Sequence, residues 1–135
     1  MKLDMPSISD QQKFIFEQST KAAIKQLKDN LKAHVLPGQT EVNEADYNRA
    51  HLLDESRYES PHPDIVGAYF RQFMNTFPEY NTDGKLAELL GLSGDRRIRA
   101  FKSGEKKVPF NVWRKFLILT GRAPQEVLPV MAFMG

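Results

Sequence analysis

Thr82 to Gly121 reads TDGKLAELLGLSGDRRIRAFKSGEKKVPFNVWRKFLILTG, and this stretch decides the fold. Leu86, Ala87 and Leu90 share one face of a helix predicted over 83–90, with Thr82 as its N-cap. Ala87 is small enough to let a second helix cross close by. Gly91 supplies the backbone freedom of a sharp turn, Leu92 plugs the angle between the helices, and Ser93 is placed to cap the next one. That helix is predicted over 94–103, with Ile98 and Phe101 inward and Gly104 as a left-handed stop. At about 100° per residue, Arg96, Arg99, Ala100 and Ser103 fall on the opposite side, flanked by Arg97 and Lys102.

That inventory suits a major groove. Arginine donates two parallel bonds to guanine, serine pairs with several base edges, and a methyl group touches thymine. Lys106 and Lys107 follow in the loop, where phosphates would run. Lys85, Thr82 and Ser93, the last two at helix starts, offer further phosphate contacts, and Lys102 another at the flank.

The segment resembles the lambda-repressor-like, or XRE-type, helix-turn-helix family over about residues 64–131, roughly half of the chain. The shared motif is L-A-x-x-L-G-L-S (Leu86 to Ser93), then Ile98, Phe101, Gly104, a basic loop and Pro109. Arg96 to Trp113, RRIRAFKSGEKKVPFNVW, is similar to a phage and plasmid subgroup. Four features depart from the pattern. Phe101 stands where tryptophan is common, Lys102 where an acid is common, Asp83 where a phosphate-binding glutamine is common, and one extra residue lies between Ser93 and Ile98. The resemblance implies base-facing positions at Asp95, Arg96, Arg97, Arg99 and Ala100. It also implies a homodimer on half-sites of double-stranded DNA about one helical turn apart. Its functional expectation is a transcriptional regulator of a phage, plasmid or mobile element, without catalysis. The alternatives are an antitoxin or plasmid transfer or replication accessory protein, and an adaptor that contacts only proteins.

Around this core the expected fold is all-α: an N-terminal helical extension, residues 1–62, followed by a five-helix lambda-repressor-like domain, residues 63–135. The extension opens on a long helix over 9–35, capped by Ser9 and ended by Pro37-Gly38, with Phe16, Ile24, Leu27 and Leu31 on one stripe and Lys21, Lys25, Lys28 and Lys32 on another. It is the candidate surface for dimerisation or for a protein partner. The acidic segment that follows is read as a short amphipathic helix over 44–56, using Val42, Tyr47, Ala50, Leu53 and Tyr58. Ser60-Pro61-His62-Pro63 is the expected domain boundary. Helices over 64–77, 83–90, 94–103, 109–120 and 124–131 complete the domain, with Trp113, Phe116 and Leu117 as core.

Bulk properties limit the function classes. The chain of 135 residues is 41% hydrophobic and 27% charged, which fits a folded globular protein. No apolar run reaches the roughly 18 residues of a membrane span, and the first ten residues lack a signal-peptide layout, so a cytosolic location is expected. With zero cysteines there are no disulfides and no thiolate metal sites. Net charge is +2, but residues 1–62 hold 8 basic against 10 acidic side chains and residues 63–135 hold 11 against 7. Arg96 to Lys107 alone has six basic residues and one acid, a local footprint for an anionic partner. His51, Asp54, Glu55 and His62 can be drawn as a metal constellation, but no third ligand has motif spacing. No phosphate loop, nucleophile elbow or apolar-flanked carboxylate pair occurs, so neither cofactor nor metal is expected.

Overall fold

The computed structural model describes Met5 to Gly135; the first four residues of the expected extension lie outside it. The chain is all-helical, with α1 (Ile8–Asn30), α2 (Pro63–Thr76), α3 (Asp83–Leu89), α4 (Asp95–Ser103) and α5 (Phe110–Leu119), four short 3-10 turns, and no strand among the described residues. Its contacts form two units: one spans Gly38–Glu126, and the other joins the stretch up to Pro37 with Val127–Gly135.

The division differs from the boundary expected at 62/63. Residues 38–62 belong with the helices that follow them. They do not form the expected helix over 44–56 but run as a wrap of three 3-10 turns, Glu44–Asp46, Ala50–Leu52 and Glu55–Arg57. Part of the reason is short-range: Asn43 Oδ1 accepts from the Ala45 amide at 3.1 Å and Asn48 Oδ1 from the Ala50 amide at 2.8 Å. These side chains hold the backbone in turns that compete with a helix.

Each helix of the 38–126 unit starts and stops on its own chemistry. Pro63 opens α2, where its missing N–H is no loss, and His62 Nδ1 accepts from the Asp64 amide at 3.0 Å. Thr82 caps α3 through Oγ1, which accepts from the Lys85 amide at 3.2 Å. At the end of α3, Gly91 takes a φ of 75°, and the Leu92 amide donates to Ala87 O at 2.8 Å and that of Gly91 to Glu88 O at 3.1 Å. This paired bond closes the helix and aims the chain into α4. Gly94, with no side chain to offer, occupies the N-cap of α4, so the expected cap by Ser93 does not form.

The core lies between α2, α3, α4 and α5. Trp113, Phe70, Phe116, Leu117, Leu86 and Ile98 are completely buried, each worth about 1.5–3 kcal/mol or more of apolar transfer. Val42, Tyr47, Leu52 and Tyr58 of the wrap pack against this cluster. Leu53, expected inward, faces solvent, because the turn at Ala50–Leu52 directs Leu52 and His51 inward instead. Polar bonds fasten the wrap as well. Tyr58 Oη donates to Val108 O at 2.6 Å, Tyr47 Oη to Asp64 at 2.7 Å, Arg71 Nε to Glu41 at 3.0 Å, and Tyr69 Oη to Glu44. Burial opposes ionisation of Glu44, but the bonds from Tyr69 and Gln39 and the charge of Arg49 outweigh it and hold the carboxyl below its usual range.

In the other unit, α1 begins at Ile8, one residue earlier than expected, and its cap is Ser7 rather than Ser9: Ser7 Oγ accepts from the Asp10 amide at 3.0 Å. It stops at Asn30 rather than 35, where the chain tightens into i→i+3 bonds such as Ala33 N to Asn30 O at 3.1 Å. No residue of α1 is buried. Phe16 meets Phe133 with ring centroids 5.4 Å apart. The helix expected over 124–131 does not form: the chain carries no helix after Leu119. Pro129 removes a donor from that stretch and disfavours helical backbone at Leu128.

Candidate nucleic-acid interface

α3, the turn through Gly91 and α4 form a tight helix pair, and α4 packs against both α3 and α2. Two neighbours bury a wider arc of α4 than one would. Ile98 is 0% and Phe101 2% exposed, as expected. Ala100, expected on the free face, is only 8% exposed; contact on a second side of α4 withdraws it from any groove.

The remaining face carries Asp95, Arg96, Arg99 and Ser103, all exposed. Asp95, Arg99 and Ser103 follow at i, i+4 and i+8 along one ridge. Arg99 Nη1 lies 2.7 Å from Asp95 Oδ2. Ser103 Oγ donates to Ala100 O at 3.2 Å and accepts from the Glu105 amide at 3.3 Å. Arg97 is exposed but rests against Phe101, its guanidinium 5.5 Å from the ring centre. Arg96 is exposed and makes no ion pair among the described residues.

The expected phosphate contacts separate into two groups. Lys106 and Lys107 are exposed, without an ion pair among the described residues, and line a groove of about 720 Å³ shared with Tyr58, His62 and Gly104. Ser93 is exposed at the turn, and Lys85 is exposed with Nζ 3.4 Å from Asn81 Oδ1. Lys102 is different. Its Nζ sits 2.8 Å from Asp83 Oδ1, with the two side chains 25% and 19% exposed, so it ties α4 to α3 and is not free for a phosphate. The acid at 83 and the base at 102, both departures from the pattern that the segment resembles, thus pair with each other.

Sequence reasoning missed the polar residues that fix the wrap. His51, drawn above as a metal ligand, is 2% exposed and accepts at Nδ1 from Trp113 Nε1 at 3.0 Å. Burial pushes its pKa down to about 4. Glu55 lies on a separate exposed turn. Among the described residues no group of three His, Asp or Glu side chains is placed to hold a metal. Arg114 donates to Leu53 O and lies 5.0 Å from the Phe110 ring centre; Arg122 donates to Gln72 and stacks 4.0 Å from the Tyr69 ring centre. These two cations serve the fold. Only their interleaving with aromatic residues in the sequence could have signalled that.

Comparison of the chain with protein-family models, with curated proteins and with solved structures returns no match. No described helix is long and apolar enough to cross a membrane.

Proposed function

We propose that this chain is a sequence-specific double-stranded DNA-binding protein of the lambda-repressor-like, XRE-type helix-turn-helix kind, acting as a transcriptional regulator of a phage, plasmid or mobile element. One observation carries the reading. α4 is braced from behind by Ile98 and Phe101 and leaves Arg96 and Arg99 exposed on its outer face, with Lys106 and Lys107 just beyond its end exposed and without an ion pair among the described residues. α4 enters the major groove; Arg99 and Arg96 reach base edges, and Lys106, Lys107, Lys85 and Ser93 meet phosphates. Regulation follows from occupying or recruiting at a promoter, and no catalytic step is proposed.

One such module binds modestly, and the reading includes a homodimer on paired half-sites. α1 is the surface left for the second subunit or another protein, since it buries nothing of its own and exposes Ile8, Ile15 and Ile24. Residues 38–62 pack Val42, Tyr47, Leu52 and Tyr58 against the core and leave their remaining exposed side chains as a second candidate surface for a protein partner. The expected location is the cytosol.

Selection of bound duplexes from a random pool tests the reading. A recovered site with two-fold symmetry is the expected result. Arg99→Ala then weakens binding to it by about 1–3 kcal/mol and relaxes choice at one base, while Lys106→Ala weakens all duplexes and reduces the salt dependence. An unenriched pool at moderate salt would favour a protein-only adaptor.

A further inference from the structure

The three arginines of α4 have three different settings. Arg97 is laid against Phe101, Arg96 has no ionic partner among the described residues, and Arg99 meets Asp95 one turn earlier on the same face. The Asp95 and Arg99 side chains are 50% and 56% exposed, so the pair stands on the surface that DNA would approach. A carboxylate there repels phosphates of every sequence. Its compensating effect must lie in what it does to Arg99.

A free arginine samples many rotamers and contacts phosphates and bases alike. A carboxylate holding Nη1 removes much of that freedom. It leaves the Nε–Nη2 edge, two parallel donors whose spacing matches guanine O6 and N7. The i, i+4 relation keeps the brace on the ridge at the middle of the exposed face.

We propose that Asp95 is a positioning residue for Arg99: it holds the guanidinium against one guanine of the bound site, setting base choice at that pair while lowering affinity for DNA at large. This rests on the DNA-binding reading above. It replaces the direct base contact expected of Asp95, and it makes Arg99, not Arg96, the arginine that fixes the sequence.

The test uses the full chain. Duplexes are selected with the wild type, and the position that depends on Arg99 is found with Arg99→Ala. Wild type, Asp95→Asn, Asp95→Ala and Asp95→Glu are then titrated at one salt concentration. The duplexes are the selected one, its three single-base replacements at that position, and a random one. Wild type is expected to prefer guanine by about tenfold or more. Asp95→Asn and Asp95→Ala should shrink that ratio to about twofold while binding the random duplex more tightly, and Asp95→Glu should recover part of it. Because base choice is a ratio, partial unfolding of a variant does not change it. An unchanged ratio in Asp95→Asn, or equal losses on all duplexes, overturns the positioning role and leaves DNA binding intact. A wild-type chain that selects no duplex overturns the DNA-binding reading and this inference with it.

Discussion

Trp113 Nε1 donates to His51 Nδ1 across 3.0 Å, joining residues 62 positions apart through two buried rings. Since Nδ1 accepts, the neutral imidazole carries its proton on Nε2. Burial lowers the pKa from 6.5 to about 4; the charge of Glu44 opposes the shift, and Arg49 and Arg122 add to it. The unfolded chain therefore takes up a proton below pH 6.5 that the folded chain refuses. His51 has no effect on the pH dependence of stability above that value. As pH falls from 6.5 towards 4, stability is lost, by about 3 kcal/mol in total. Glu44, held below its usual range, adds a loss of the same sign at lower pH, as its carboxylate is protonated. Denaturant titrations across this range should show the decline, and His51→Gln should flatten its upper part.

The same bond predicts a coupling energy. Trp113→Phe leaves His51 Nδ1 buried without a donor, at a cost of about 1–3 kcal/mol beyond the lost ring area. His51→Phe with Trp113→Phe should cost less than the sum of the two single changes. A double-mutant cycle from equilibrium unfolding measures the difference; strict additivity would mean that the bond contributes nothing.

Two glycines with left-handed backbone should respond differently to alanine. Gly91 has a φ of 75° and open space around an added Cβ, so Gly91→Ala costs only backbone strain, about 1–2 kcal/mol. Gly104 has a φ of 83°, and its Cβ would fall 2.8 Å from Pro63 Cγ. Gly104→Ala adds an overpacking cost of about 1–3 kcal/mol and should melt at a clearly lower temperature than Gly91→Ala.

Ala100→Gln distinguishes a buried residue from a groove-facing one. With Ala100 8% exposed, the larger side chain should destabilise the fold by about 1–3 kcal/mol. An unchanged melting temperature with altered duplex preference would place the methyl group outside.

Among the described residues, all of the buried core lies between Gly38 and Glu126. A chain cut to 38–126 should therefore retain its unfolding free energy to within about 1 kcal/mol. Calorimetry of the cut and whole chains checks this. A large loss would assign a stabilising role to α1 or to the last nine residues.

What could be read in the sequence were the signals confined to a few neighbouring residues. Pro63, Thr82, Gly104 and Gly121 mark helix ends because each acts on its own backbone or on an amide within one turn, and α2 to α5 fall within a residue or two of their expected bounds. The wrap could not be read so. Its acidic, polar composition resembles solvated surface, yet its anchors are single bonds to residues far along the chain, such as Tyr58 to Val108 and His51 to Trp113. The site was half legible for a related reason. A helical wheel divides α4 into inner and outer halves as though one neighbour covered it, while α2 and α3 cover it from two directions. Arg96 and Arg99 stay outside on either count. Ala100 and Lys102 lie near the edge of the covered arc, so packing decides them and periodicity does not.

Trp113 is the single tryptophan of the chain, and it sits where the wrap meets the helices, stacked on Tyr69 and Phe116 and edge-on to His51. Its ultraviolet emission therefore reports on that junction alone. Peeling residues 38–62 away would hydrate the indole and red-shift its fluorescence even while the helical content seen by circular dichroism held steady. Protonation of the adjacent imidazole would quench it. The molecule thus contains an intrinsic optical probe that separates loosening of the wrap from loss of the helices.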